Sequence, residues 1–207
     1  MKKTMALCGV LFAGALMFAQ KITVESVCAD LAKNTITKGD FTQEKTVGKN
    51  NRKLKSNGKF IFSTDGIVWN TIRPFPSTLV LGADYMVQIG SDGTRKVTDA
   101  RGNDAFKSVS STLLAVFSND ITKLNQNFNV NFSAEADKWT VTLQPKDKTV
   151  ASVMTAIVLK GSSAAAGSEI DGIQLNEANG GTVDYAFANQ THPKELTTDE
   201  KSLFKAD

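Results

Sequence analysis

Side chains with acid–base or nucleophilic chemistry are sparse in this chain. His192 is the only histidine among 207 residues, and it precedes Pro193 in a segment typical of a surface turn. A single histidine weakens the case for most metal sites and for Ser–His or Cys–His catalytic pairs. No Lys-Ser or Lys-Thr pair follows Gly167, so this glycine-containing region is not a phosphate-binding loop. We predict a flexible loop over Gly161–Ser168, and no metal or cofactor site.

Carboxylates are the remaining candidates for catalysis. Paired carboxylates can hydrolyse glycosides, and Asp40, Glu44 and Asp65 are available in the first half of the chain. Each lies among polar or turn residues, where solvation accounts for it, and no Gly-x-Ser-x-Gly elbow occurs. The sequence therefore predicts that the protein is not an enzyme.

The N-terminal residues have the three-part layout of a secretory signal peptide. A short basic head precedes an apolar run over Met5–Phe18, and a small residue at Ala15 or Ala19 suits a signal peptidase. The run is shorter than the roughly 20 apolar residues that span a bilayer, which favours a cleaved leader over a short anchor. We expect residues 1–19 to be removed and residues 20–207 to form a single exported domain.

Composition narrows the range of partners. The chain has 24 basic and 21 acidic residues and a formal net charge of +3. This near-neutral balance gives no electrostatic argument for binding nucleic acid or acidic membranes. Cys28 is the only cysteine beyond the leader, so we expect no internal disulfide and a fold that is held by its core. Helical spacing around Cys28 predicts a buried, small apolar side chain.

Beyond the leader, the chain is predicted to be mainly β, with a few helices. Ile22, Val24, Val27, Cys28 and Leu31 lie near a 3.6-residue period, which indicates one helix that fades at Asn34-Thr35. The predicted strands are Gly39–Thr46, Leu54–Ser63, Ile67–Ile72, Thr78–Gly82, Tyr85–Ile89, Arg95–Thr98, Asn127–Ser133, Trp139–Gln144, Ala151–Leu159, Glu169–Asn176 and Thr182–Ala188. Short turns between them indicate about eleven hairpin-linked, antiparallel strands.

Two further helices are predicted. The spacing of Phe106, Val109 and Phe117 indicates a helix over Ser110–Ser118, inserted between two halves of the sheet. A last short helix is expected over Thr198–Lys205, with acidic residues near its N-terminus.

Alternation of apolar and polar residues indicates a sheet with one apolar face. The large apolar residues assigned to that face are Phe60, Phe62, Trp69, Leu79, Leu81, Val87, Phe128, Phe132, Trp139 and Tyr185. If the sheet curls without closing, the few helices cannot fill its concave face, here called the trough. A hydrophobic cavity suited to an acyl chain then remains. A fully packed sandwich gives the same alternation, so periodicity alone leaves both possibilities open.

Short motifs at residues 39–43, 58–60, 69–74, 79–80 and 139–146 occur in an order that resembles the LolA family of periplasmic lipoprotein carriers. Residues 39–43, Gly-Asp-Phe-Thr-Gln, resemble the family's Phe-x-Gln strand. Residues 58–60, Gly-Lys-Phe, precede Trp69–Pro74 as in the family's Gly…Trp-x4-Pro block, and Leu79-Val80 follows at the next apolar strand. The segment Trp139–Lys146 resembles a strand ending in Leu-x-Pro-Lys.

The resemblance implies an unclosed antiparallel barrel with helices as a lid over a hydrophobic cavity. It also implies a periplasmic carrier whose cargo is an acylated lipoprotein or another lipid. The partners would be an inner-membrane transporter or exporter and an outer-membrane acceptor. The residues expected to contact lipid are Phe60, Phe62, Trp69, Leu79 and Leu81 on the sheet, with Leu113, Leu114 and Phe117 on the inserted helix.

One departure from the family pattern affects the lid. The family has an Arg-Pro pair before its Trp, whereas this chain has Ser63-Thr64-Asp65-Gly66, and Arg73-Pro74 comes after the Trp. The sequence therefore does not specify how the lid is controlled or which cargo is bound. Glycolipids and acylated pigments are further cargo classes. The alternative function is a non-enzymatic envelope binding or scaffold module with a filled β-sandwich core, for which residues 73–76 would form an exposed loop.

Overall fold

The computed structural model describes residues 21–47, 52–82, 84–99, 112 and 114–205, so the predicted signal peptide lies outside the described residues. Eleven strands form one antiparallel sheet. They are β1 (Ile36–Val47), β2 (Arg52–Ser63), β3 (Gly66–Arg73), β4 (Ser77–Leu81), β5 (Tyr85–Gly90), β6 (Arg95–Asp99), β7 (Phe128–Glu135), β8 (Lys138–Pro145), β9 (Met154–Ala164), β10 (Gly167–Glu177) and β11 (Thr182–Thr191).

The strand order is β6-β5-β4-β3-β2-β1-β11-β10-β9-β8-β7. Strands β6 and β7 are the two edges, and no pairing within the described residues joins them. This unclosed sheet confirms the predicted fold. The sandwich alternative is wrong, because all eleven strands belong to one continuous sheet rather than to two.

The sheet curls strongly. Trp69 on β3 and Tyr185 on β11 have ring centroids 5.6 Å apart, although β2 and β1 lie between their strands. Three strand spacings in a flat sheet would separate them by about 14 Å. Curling therefore brings side chains of distant strands together on the concave, or inner, face.

Within the described residues, five helical segments accompany the sheet. They are α1 (Val24–Leu31), α2 (described at residues 112 and 114–117), α3 (Ile121–Asn127), α4 (Lys148–Ala151) and α5 (Thr198–Leu203). Residues of α1 to α4 belong to the core on the inner face. None of the helices in the described part of the chain is long and apolar enough to cross a membrane.

The strand predictions hold, with three local corrections. Asn127 belongs to α3 and Ala151 to α4 rather than to strands. The loop predicted over Gly161–Ser168 is wrong, because β9 continues to Ala164 and β10 begins at Gly167. The small side chains there serve close packing rather than flexibility: Gly161 lies directly opposite Trp139, and the Ser168 hydroxyl donates to Asp30 of α1 at 3.1 Å.

A second, smaller core lies on the convex, or outer, face. It contains Ile36, Ile61, Val68, Val80 and Val87, covered by Leu196, Leu203 and Phe204 of the C-terminal segment. Placing Val87 on the same face as the inner aromatic residues is therefore wrong. Strands β2 to β5 bury apolar residues on both faces because the C-terminal segment covers the outer one.

Candidate acyl-chain site

An aromatic cluster forms one wall of the inner face. Phe62 is central: its ring centroid lies 4.7 Å from that of Phe60, 5.8 Å from Trp69 and 4.6 Å from Phe117 of α2. Tyr185 extends the cluster from β11 through its contact with Trp69. Consecutive inward positions of β2 and β3 thus present large apolar surfaces to the helix above them.

Glycines permit these rings to lie against the sheet. A Cβ built on Gly39 would lie 2.8 Å from the Phe60 ring, and one on Gly58 would lie 2.9 Å from the Phe41 ring. Both distances are shorter than side-chain contacts normally allow. Gly39 of β1 therefore makes room for Phe60 of the aromatic wall, and Gly58 of β2 makes room for the neighbouring Phe41.

A cavity of about 190 Å³ lies between this wall and α2. Its apolar lining consists of Phe62, Leu114 and Phe117. Its polar lining consists of Asn34, Thr35, Ser63, Thr64 and Ser118. Among the described residues that line it, none carries a charge, so the cavity suits an apolar chain with an uncharged polar end.

The β2–β3 turn supplies one side of the rim. The Ser63 hydroxyl donates to the Gly66 carbonyl at 3.2 Å and accepts from the Asp65 backbone N–H at the same distance. Gly66 has φ +143°, a conformation that disfavours other residues. This self-contained turn occupies the place where the family pattern has its Arg-Pro pair, and it presents hydroxyls instead of a cation.

The structure brings three of the predicted lipid-contacting residues to the cavity, namely Phe62, Leu114 and Phe117. Phe60, Trp69, Leu79 and Leu81 belong to the same inner core around it. Leu113 lies outside the described residues. The four sheet residues Phe60, Phe62, Trp69 and Leu81 are buried, so the trough is filled to a greater extent than the sequence predicts.

The reason for this filling is the number of helices. The sequence pattern does not predict α3 and α4. These helices add Leu124 and Val150 to the inner core. Helix α1 adds Val27, Cys28 and Leu31. A void of about 190 Å³ remains beside α2, and a wider, more open pocket lies between the start of α1 and β7, where Ile22, Val24 and Phe132 line it.

The rim residues were not anticipated. Asn34 and Thr35 follow α1, Ser63 and Thr64 end β2, and Ser118 ends α2. In the sequence each has the appearance of an ordinary turn residue. Only the fold brings these three separate segments to one opening.

Electrostatics at the site favour neutral species. Burial raises the pKa of the Tyr185 phenol to about 12, so it stays protonated at neutral pH. The indole Nε1 of Trp69 is buried and has no acceptor within the described part of the chain. An unpaired donor inside an apolar core is costly.

Of the carboxylates considered for catalysis, Asp65 is exposed in the β2–β3 turn beside the rim, and Asp40 and Glu44 lie elsewhere. Asp40 accepts hydrogen bonds from Asn189 at 2.8 Å and Lys59 at 2.9 Å, and these bonds lower its pKa. Glu44 is paired with Lys53 at 2.5 Å, which lowers the pKa of Glu44 as well. Both carboxylates are partly exposed and bind lysines, and they do not face each other across a cleft. The described residues contain no cluster of His, Cys, Asp or Glu fit for a metal ion.

The curled, unclosed sheet with helices over an apolar inner face defines a LolA-like fold. The family model described as "Outer membrane lipoprotein carrier protein LolA" matches residues 32–207. Because this match covers most of the chain, the protein belongs to the LolA family. The family consists of periplasmic carriers of outer-membrane lipoproteins.

Solved structures with the same architecture include a DUF1329 family protein from Desulfovibrio piger, with TM-score 0.50, 10% identity and coverage of 88% of this chain and 96% of the other. A LolA superfamily protein from Nitrosomonas europaea has TM-score 0.46, 7% identity and coverage of 89% and 98%. A putative outer membrane lipoprotein-sorting protein domain from Vibrio parahaemolyticus has TM-score 0.47, 9% identity and coverage of 88% and 99%. No curated protein matches the sequence.

Proposed function

We propose that this protein is a periplasmic, non-enzymatic carrier that binds acyl chains of lipoproteins or other lipids and shuttles them from the inner to the outer membrane. The observation that carries the proposal is the apolar cavity between the aromatic wall and α2, with its uncharged polar rim. Membership of the LolA family supports the same role.

The physical need for such a carrier follows from the hydrophobic effect. Each methylene of an acyl chain costs about 0.8 kcal/mol to expose to water, so a lipid anchor does not cross an aqueous space unaided. During transit, a carrier must offer the acyl chain an apolar surface comparable to the interior of the bilayer. The inner face provides this surface next to Phe62, Leu114 and Phe117.

Cargo binding requires the cavity to widen. Its volume of about 190 Å³ is below the roughly 300–1,000 Å³ of typical ligand sites. Leu114 and Phe117 of α2 line the cavity and are only partly buried, so a shift of this helix is the movement that would widen it. Outward movement of α2 would expose the aromatic wall to an acyl chain, and a guest would stabilise that open state.

The proposed partners follow from this cycle. An inner-membrane transporter or exporter would deliver the acylated cargo, and an outer-membrane acceptor would receive it. Removal of the leader at residues 1–19 would release the protein into the periplasm. Phe60, Trp69, Leu79, Leu81 and Leu113 would extend the contact surface once α2 has moved.

Uptake of a fluorescent fatty acid tests the proposal, with Leu114→Trp as the blocking variant. A larger side chain at Leu114 fills the cavity, so we expect affinity for the fatty acid to fall about tenfold, which corresponds to losing burial of one or two methylenes. Leu203→Trp is the matched control, because Leu203 is also partly buried but belongs to the outer face. It should leave uptake unchanged.

Native mass spectrometry of gently purified protein supplies the second test. We expect species that carry the added mass of a lipid. A wild-type protein that stays free of lipid and takes up no fluorescent fatty acid would contradict the carrier role. It would instead favour the envelope binding or scaffold module.

A further inference from the structure

One end of the sheet collects exposed apolar side chains. Of the six large hydrophobic residues that are exposed in the described part of the chain, four lie at this end. Val47 and Leu54 are on the β1–β2 hairpin, with 40% and 46% of their surface exposed. Ile72 and Phe75 are at the β3–β4 connection, with 45% and 82% exposed.

The strand register explains why these side chains stay uncovered. Strand β2 pairs with β3 only from the pair Asn57↔Arg73 onward, while its pairing with β1 continues to Arg52. The five residues from Arg52 to Ser56 therefore project beyond β3 by about 17 Å. The β3–β4 loop at residues 74–76 lies at the base of this projection.

The same segments are basic. Residues 42–47, 52–57 and 72–77 contain five cationic side chains and one acidic side chain, Glu44. Glu44 is shared by Lys53 at 2.5 Å and Lys55 at 3.3 Å. Glu177 and Asp184 of the neighbouring strands also act on Lys45 and Lys53, respectively. Five cations thus face three carboxylates, which leaves a modest positive charge at this end.

Phe75 is the most exposed of these apolar residues. It lies between Pro74 and Pro76, and proline fixes the backbone φ angle and limits the loop's freedom to fold back. Keeping an aromatic ring in water on a restricted loop is unfavourable unless something else covers it.

We propose that this end of the protein docks on an anionic lipid surface, with Phe75 and Ile72 entering the interface while Arg52, Arg73 and the lysines face the headgroups. Exposed apolar side chains interleaved with cations are the feature that binds anionic bilayers. The unpaired edge of β2 is less suited to an added peptide strand, because lysines on an edge oppose strand pairing.

This inference goes beyond the carrier role and does not depend on it. The cavity rim at Ser63 and Thr64 lies at the opposite end of β2 from Arg52. Docking through the basic end leaves that rim uncovered. Vesicle binding and fatty-acid uptake are therefore separate properties, and each can fail without the other.

Sedimentation with vesicles tests the docking surface. We expect wild type to bind vesicles of phosphatidylethanolamine with phosphatidylglycerol, to bind phosphatidylcholine vesicles weakly, and to dissociate in high salt. Phe75→Ser should weaken binding at least about fivefold, because the inserted ring is lost. The pair Arg52→Gln/Arg73→Gln should weaken it about thirtyfold, because each basic residue near an anionic surface contributes about 1 kcal/mol. Val97→Ser is the matched control, because Val97 is 44% exposed but lies on edge strand β6. It should bind as wild type does.

Fluorescence of Phe75→Trp provides an independent readout. Trp69 and Trp139 are both buried, so a blue shift on adding anionic vesicles would report insertion of position 75. Absence of vesicle binding by wild type, or wild-type binding by Phe75→Ser, would overturn the proposal. A photo-crosslinker at position 75 that yields protein adducts and no lipid adducts in envelope preparations would also overturn it and assign this end to a protein partner.

Discussion

Individual glycines decide where aromatic rings can lie on this sheet. Gly161 of β9 pairs with Trp139 of β8, and a Cβ at Gly161 would overlap both the indole ring and the Glu169 carbonyl. The indole therefore uses the space of a missing side chain. The same principle operates at Gly39 beneath the Phe60 ring and at Gly58 beneath the Phe41 ring.

Gly161→Ala should be strongly destabilising. Overpacking a core costs about 1–3 kcal/mol, and here the displaced groups are a buried indole and backbone. Urea denaturation would show this as a lower midpoint. Gly90→Ala is the matched control, because its added Cβ would meet only the flexible Asp92 carboxylate. Equal stability losses for the two variants would contradict the packing account.

The thiol of Cys28 should be inert in the folded protein. Burial, with a smaller contribution from Glu25, raises its pKa to about 12, and the thiolate is the reactive form. We expect negligible reaction with a thiol reagent at pH 8 and rapid reaction once urea unfolds the chain. Fast labelling of the native protein would show that α1 opens readily.

At the scale of elements, α1 is an anchored cover for the inner face. Its start has a capping box between Thr23 and Ser26, and Asp30 near its end accepts a hydrogen bond from Ser168 of β10. Phe117 of α2 contacts the aromatic wall through Phe62. We propose α2, which borders the cavity, as the movable part of the lid.

Thr23→Ala should lower the stability of the protein by about 1 kcal/mol, the usual effect of losing an N-cap side chain. The measurement is the free energy of unfolding in urea. Thr122→Ala on α3 is the control, because Thr122 is an exposed position inside a helix, where alanine is favourable. A similar loss in both variants would show that the capping box of α1 contributes little.

At the scale of the whole molecule, ion pairs connect strands and segments distant in sequence. Lys38 of β1 binds Glu200 of α5 at 2.5 Å, which fastens the C-terminal segment over the outer core. Burial alone would raise the pKa of Glu200, but hydrogen bonds from Lys38 and the Thr197 backbone outweigh it and lower that pKa. The pKa of Glu177 is lowered mainly by its hydrogen bond from Lys45.

Stability should therefore decline in acid. A carboxylate whose pKa is lower in the folded state stabilises the fold above its unfolded pKa, and this contribution is lost as pH falls through the folded pKa. We expect urea midpoints to fall below about pH 4.5, the ordinary value for glutamate. Glu200→Gln should show a smaller decline, while the exposed control Glu195→Gln should follow wild type. A decline in Glu200→Gln equal to that of wild type would contradict this role.

The alternating segments of this chain specify their strands locally. The hairpin of β7 and β8 has a strict two-residue period, and every one of the eleven strands appears in the structure. Helices α3 and α4 were missed because each spans two turns or fewer, too little for a period to emerge. Val87 was misplaced because a single strand does not reveal that both of its faces are covered.

The sequence by itself determined the strand pattern, the order of motifs and the family, because those depend on residues close together along the chain. Tertiary structure decided how full the trough is and which residues surround its opening. It also decided that Val47, Leu54, Ile72 and Phe75 share one end with the cations. These properties depend on curvature and register between strands, and those are set only when distant segments pack against one another.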